Sequence, residues 1–132
     1  MAAEFTRALR ADSAALPGLI EAIEGWLEAQ GVPIGEVARL MIAFDELLSN
    51  IAHHGGGTIE LAITVDAGTL TARIADDGPR FDPLALPAPD TSLDIDDRPV
   101  GGLGIHLVRE MMDEVRYVYD QGRNELTFRK TF

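Results

Sequence analysis

The chain has 132 residues, 46% of them hydrophobic and 25% charged, which suits one domain with a real core and leaves little for a second. Its 22 acidic and 11 basic side chains give a formal net charge of −11, a surface that repels nucleic-acid phosphates and anionic lipid and argues against direct DNA binding. No apolar run approaches the roughly 20 residues of a membrane span, and the complete lack of Cys excludes disulfides, thiolate catalysis and Cys-ligated zinc.

The opening residues, Met1 to Arg7, lack the basic cluster and apolar core of a secretory signal, which points to the cytoplasm. The first predicted element is an amphipathic helix. Leu16, Leu19, Ile20, Ile23, Trp26 and Leu27 recur at helical spacing after the cap candidates Asp12 and Ser13, and Gly31 closes the segment. Pro33 starts a second helix, whose apolar stripe runs through Val37, Leu40, Met41, Phe44, Leu47, Leu48 and Ile51 and ends before Gly55-Gly56-Gly57. Arg39, Ala43, Glu46, Asn50 and His53 fall on the opposite face.

Ile59, Leu61, Ile63 and Val65 then alternate with Glu60, Ala62 and Thr64, the period of a half-buried strand. After the turn Asp66-Ala67-Gly68, Leu70, Ala72 and Ile74 alternate in the same way, so the two segments are expected to pair as an antiparallel hairpin ending at Asp76. The segment 84–100 is rich in Pro and Asp and shows no sustained period, which predicts a lid-like loop. Ile105, Leu107, Val108, Met111 and Met112 give a third helix. A closing hairpin joins Val115 to Tyr119 and Glu125 to Phe128 around a turn at Asp120 to Asn124.

Three short motifs lie along this frame. Glu46 and Asn50, four apart on a helix, project side by side, so that a carboxylate able to accept a proton stands beside an amide oxygen able to ligate a hard cation such as Mg²⁺. Asp76 and Gly78 follow a strand, placing an acceptor beside a close backbone approach to a flat ligand. Adenine suits that arrangement because its exocyclic amine donates where guanine presents a carbonyl. Gly101, Gly102 and Gly104 precede a helix, where free backbone N–H groups favour phosphate oxygens. Taken singly, these motifs also read as a solvated helix face, an ordinary turn and a hinge. Of the 11 basic residues, only Lys130 is a lysine, at a position that fits neither a P-loop nor the early-strand Lys of a eukaryotic-type kinase.

In order, Phe44 to Asn50 (FDELLSN), Asp76 to Pro83 (DDGPRFDP) and Gly101 to Val115 resemble the N, G1 and G2 boxes of the GHKL, or Bergerat-fold, ATPase superfamily. Within it they are similar to the anti-sigma-factor serine kinases of the RsbW and SpoIIAB type, and the resemblance runs from the first helix to the last hairpin. It implies an α+β fold, a two-layer α/β sandwich whose mixed or antiparallel sheet is covered on one face by helices, in a single ATP-binding and serine kinase domain over 1–132. By motif position it implies Glu46 as catalytic base, Asn50 as Mg²⁺ ligand, Asp76 as adenine contact, and Gly78, Gly102, Leu103 and Gly104 in the ATP/ADP pocket, with Asp77 the variable middle residue. Val100 stands where some relatives carry a basic residue before the glycines, and Arg98 is two positions further away.

The resemblance also implies a homodimer that sequesters a sigma factor or another client and phosphorylates a Ser on a STAS-domain anti-anti-sigma antagonist. The competing expectation is a nucleotide-binding module that sequesters a partner without phosphoryl transfer.

Overall fold

Both hairpins form, and the apolar stripes of all three helices meet one face of the sheet that contains them. The computed structural model describes residues 2–54, 57–85 and 102–132. Its elements are β1 (Ala3–Arg10), α1 (Leu16–Ala29), α2 (Ile34–His53), β2 (Thr58–Asp66), β3 (Thr69–Asp76), α3 (Gly102–Met111), β4 (Glu114–Asp120) and β5 (Arg123–Thr131), with a 3-10 turn at Pro83–Ala85.

The sheet order is β1-β2-β3-β5-β4, and every neighbouring pair is antiparallel. Each hairpin turns on two residues of positive φ, Ala67 (51°) and Gly68 (79°) in the first, Gln121 (53°) and Gly122 (75°) in the second. That left-handed pair matches the right-handed twist of the flanking strands, and Gly adopts it without strain.

The structure corrects the sequence reading in four places. The N-terminal segment is an edge strand, paired along its whole length from Ala3↔Val65 to Arg10↔Thr58. Neither Asp12 nor Ser13 caps α1. Ala15 stands at the N-cap, while Asp12 closes the preceding turn, its Oδ1 accepting from Ala14 N at 2.9 Å and its carbonyl from Ala15 N at 2.9 Å. Ala43 is fully buried, because α2 packs on both α1 and α3 and its buried arc is wider than its apolar stripe. The last turn shrinks to Gln121-Gly122, which brings Arg123 and Asn124 into β5.

The core lies between the helices and the sheet. Ile23 and Leu27 of α1, Leu40, Phe44 and Leu48 of α2 and Val108 of α3 close over Ile59, Ile63, Leu70, Ile74 and Phe128. Phe44 and Phe128 meet with ring centroids 5.2 Å apart, a tilted geometry suited to the aromatic quadrupole. At the β1 edge, Phe5 packs on Trp26 with centroids 5.6 Å apart, and Leu9 packs on the core beside it, which holds the strand against the domain.

The other face of the sheet is polar. There Arg73 Nε and Nη2 reach the two carboxylate oxygens of Glu125 at 2.8 and 3.0 Å, and Arg123 Nη2 lies 2.8 Å from Glu60 Oε2. Among the described residues, no helix is long and apolar enough to cross a membrane.

Candidate functional site

Glu46 and Asn50 stand one turn apart on α2, half-buried between its core-facing arc and its exposed face. Each carries a buried atom, Glu46 Oε1 and Asn50 Nδ2, with no hydrogen-bond partner among the described residues. Such an atom costs about 1–3 kcal/mol, a cost that a bound group would relieve. Burial pushes the Glu46 carboxyl above the ordinary carboxylate range and the neighbouring Asp45 charge adds to this, while the Asn50 amide, close to Glu46 but outside hydrogen-bond geometry, pulls it partly back. A carboxylate raised in this way is a better proton acceptor near neutral pH than an exposed one.

β3 carries Asp76 to the end of the sheet, where it is 6% exposed. Its Oδ1 accepts from Gly78 N at 2.9 Å and from Asn124 Nδ2 at 3.1 Å, and no hydrogen bond among the described residues engages Oδ2. Burial raises the Asp76 pKa, as does the charge of Asp77. The Asn124 amide, the Gly78 N–H and the more distant Arg123 oppose that rise. Asp76 is therefore a buried acceptor with one oxygen fixed by the protein and the other left for a donor.

Sequence reasoning missed the residue that organises this corner. Asn124 is 5% exposed. Besides Asp76, its Nδ2 donates to the Gly78 and Pro79 carbonyls at 3.3 and 2.9 Å, and its Oδ1 accepts from Phe81 N at 2.9 Å and from the Tyr117 hydroxyl. One amide on β5 thus fixes the turn after Asp76. No local signal reveals it, because an Asn two positions after a hairpin Gly reads as a turn residue. Asp77 has a structural task as well, its Oδ1 accepting from Thr58 N at 2.6 Å.

Leu47, Ile51, Ile74, Phe81 and Leu126 form an apolar recess into which Asp76, Asn124, Tyr117 and Asn50 bring polar groups. Its enclosed part is small, about 40 Å³, and the rest of the recess opens to solvent. His54 also lines it, stacked on Phe81 with centroids 4.1 Å apart and planes at 19°.

The structure therefore brings Asn50, Asp76 and Gly78 to one recess, with Glu46 one turn from Asn50. Gly102, Leu103 and Gly104 form the first turn of α3. Gly101 lies outside the described residues, as does the predicted lid beyond Ala85. Leu84, at its start, is tied to α3 by Arg109 Nη1, which donates to the Leu84 carbonyl at 3.2 Å.

The donor set fits a magnesium nucleotide. A mostly apolar recess with one buried carboxylate suits adenine, and a hard cation held by nucleotide phosphates needs only a supplementary oxygen such as that of Asn50. Among the described residues no three His, Asp or Glu side chains gather as a metal cage.

A helix layer on an antiparallel sheet, with this recess at the end of β3, defines a Bergerat-type nucleotide-binding domain. Residues 9–130 match the family described as Histidine kinase-like ATPase domain, and the chain belongs to that family. It is 31% identical over 93 residues to Serine/threonine-protein kinase BtrW of Bordetella bronchiseptica, covering 67% of this chain and 66% of that relative, just under two thirds of its length. It is 26% identical over 110 residues to Serine-protein kinase RsbW of Bacillus cereus, covering 77% and 69%. The fold resembles the crystal structure of the RsbU and RsbW domains of Rv1364c from Mycobacterium tuberculosis, with a TM-score of 0.71 and 17% identity over 98% of this chain and 32% of that one. The resemblance read from the three motifs is borne out by these relatives.

Proposed function

We propose that this chain is an ATP-dependent protein serine kinase of the partner-switching type, acting as a single cytoplasmic domain over 1–132. It phosphorylates a Ser of a STAS-domain antagonist and sequesters a sigma factor or another client as a homodimer. The observation that carries this reading is the Glu46–Asn50 pair. A half-buried carboxylate with a raised pKa and an unpaired oxygen stands beside an amide at the edge of the Asp76 recess, and relatives of the chain are serine kinases by name.

In this reading Asp76 Oδ2 accepts from the adenine amine, and Asn124 and Gly78 hold that carboxylate in place. Asn50 contributes an oxygen to Mg²⁺, while the N–H groups of the first turn of α3, around Gly102, Leu103 and Gly104, face phosphate oxygens. Bound Mg-ATP would supply the phosphoryl group and neutralise its oxygens. Glu46 would orient the acceptor Ser hydroxyl and take its proton, while the Ser Oγ–P bond forms, the bond between the β- and γ-phosphates breaks and ADP is the leaving group.

The test compares Glu46→Gln with Asn50→Ala. Glu46→Gln should bind nucleotide as the wild type does and transfer no labelled phosphate to a STAS-type partner. Asn50→Ala should lose transfer and also the magnesium dependence of nucleotide binding. If the wild type labels no STAS-type partner, sequestration without transfer becomes the better reading, and Val100 at the position before the glycines is the feature that favours it.

A further inference from the structure

On the sheet face that is open to water, Ala75 is fully buried. It alternates with Ile74 and Asp76, which point to the helix side, so side chains of the neighbouring strands must cover its methyl group. Glu60 on β2 and Glu125 on β5 stand directly opposite it in the register. Arg123, the first residue of β5, reaches past Ala75 to place Nη2 2.8 Å from Glu60 Oε2, an ion pair between strands that are not neighbours in the sheet. Its Nε is buried and has no hydrogen-bond partner among the described residues, as fits an arm laid flat across β3. A second pair braces the same spot. Arg73 holds Glu125 through bonds of 2.8 and 3.0 Å, which keep that carboxyl below the ordinary carboxylate range against the effect of burial, and the charge of Arg123 adds to the lowering. The four side chains form one alternating cluster over Ala75.

One position further along, on the opposite face, lies the recess. Asp76 follows Ala75, Asn124 follows Arg123, and the two are partners in the β3–β5 register. The backbone ladders stop at this corner. β3 ends at Asp76, β2 begins at Thr58, and β5 begins at Arg123, directly after the positive-φ turn of Gln121 and Gly122. Strand ends open more readily than strand centres, yet this end has to hold the Asp76 carboxylate and the Asn124 amide 3.1 Å apart.

We infer that Arg123 is a positioning residue for nucleotide binding, strapping β5 to β2 across β3 so that Asp76 and Asn124 keep the geometry that receives the base. The inference rests on the reading of the Asp76 recess as the nucleotide site, and adds to it a residue on the far face of the sheet. An ion pair this exposed contributes little to global stability, so its effect falls on the end of the sheet where the ladder stops. The Arg123 charge is also among those that oppose the burial-driven rise of the Asp76 pKa, which favours the form that accepts a hydrogen bond.

The experiment uses the full chain. Arg123→Met keeps an apolar stem over Ala75 and removes the ion pair, and Glu60→Gln removes it from the other end. The control is Arg116→Met, the same chemical change on the same face of β4, where the arginine Nε lies 3.9 Å from Glu114 Oε1. Affinity for ATP with magnesium is measured by calorimetry in the wild-type and Asp76→Asn backgrounds, beside urea unfolding. Arg123→Met and Glu60→Gln should each weaken ATP binding by about threefold or more, and the two combined should do no more than Arg123→Met alone. Unfolding midpoints should stay near wild type, and Arg116→Met should bind as wild type does. In the Asp76→Asn background, Arg123→Met should change affinity by less than about twofold, whereas a general loss of structure or of positive charge near the phosphates would persist there. Wild-type affinity in both Arg123→Met and Glu60→Gln overturns the strap, as does a combined loss equal to the sum of the single losses, or an Arg123→Met loss undiminished by Asp76→Asn. If Asp76→Asn alone binds ATP as tightly as wild type, the nucleotide reading of Asp76 fails, and the strap fails with it.

Discussion

Asn124→Ala tests the architecture of the recess more directly than any change in the expected catalytic pair. The substitution removes an amide with five hydrogen-bond contacts, its two Nδ2 hydrogens shared among Asp76, Gly78 and Pro79 and its Oδ1 accepting from Phe81 and Tyr117. The Pro79 and Gly78 carbonyls lie in a partly exposed turn and can turn to water, so their loss costs little. The Phe81 N–H, the Tyr117 hydroxyl and Asp76 Oδ1 are less accessible, and at about 1 kcal/mol for each lost bond the fold should weaken by about 2–4 kcal/mol. Nucleotide affinity should fall as well, by about tenfold or more, because the turn carrying Gly78 and the orientation of Asp76 would no longer be fixed before binding.

Denaturant unfolding gives the first quantity and calorimetry with ATP the second. Asn124→Asp separates the network from simple packing. It is nearly isosteric, but it would set a second carboxyl against Asp76, and two carboxylates at hydrogen-bond distance cannot both ionise readily. One of the two carboxyls then has a folded-state pKa above its unfolded value. The variant should come closest to wild-type stability below the ordinary carboxylate range, where a protonated Asp can donate as Asn does. It should lose stability as pH rises from there through that raised folded pKa. If Asn124→Ala unfolds within about 0.5 kcal/mol of wild type and binds ATP equally well, Asn124 does not organise the recess and this reasoning fails.

Further outcomes follow from the same geometry. In Asp76→Asn the remaining oxygen can keep the bonds from Gly78 and Asn124, so the new NH₂ group faces the recess and opposes the adenine amine. ATP binding should weaken by about 1–3 kcal/mol in calorimetry, and unchanged affinity would remove Asp76 from the base contact. Burial raises the Asp76 pKa, so ionised Asp76 costs the fold stability at neutral pH. Asp76→Asn should therefore be at least as stable as wild type there, and that advantage should disappear as pH falls through the raised folded pKa into the ordinary carboxylate range. Asp45→Asn removes a charge that raises the Glu46 pKa, so the acidic limb of the transfer rate against pH should move to lower pH, and an unmoved limb would separate Glu46 from proton transfer. Gly57 has φ +71°, and a Cβ there would lie 2.0 Å from Asp77 Oδ1. Gly57→Ala should therefore break the Asp77–Thr58 bond and cost about 1–3 kcal/mol in urea unfolding, whereas wild-type stability would mean that this turn relaxes freely.

The sequence by itself determined the elements whose signal is local. The 3.6-residue stripes of α1 and α2, the alternation of β2 and β3, and the two hairpin glycines each follow from burying one face or from a backbone that only a turn allows. The motif order pointed to the family, because Glu46 with Asn50, Asp76 with Gly78, and Gly102 with Gly104 occur in that order on α2, after β3 and at the start of α3.

Tertiary structure alone decided what depends on distant partners. β1 buries only Phe5 fully, and it is a strand because β2 offers it a full register of hydrogen bonds and Trp26 covers Phe5. Ala43 is buried because α2 is flanked by both α1 and α3, the latter some 60 residues further along the chain. Asn124 is separated from Asp76 by 48 positions and reaches it only because β5 inserts between β3 and β4. Local periodicity records which face of a segment avoids water, but not which other segment will cover it, and the part of the recess invisible in the sequence is the part that strand order assembles.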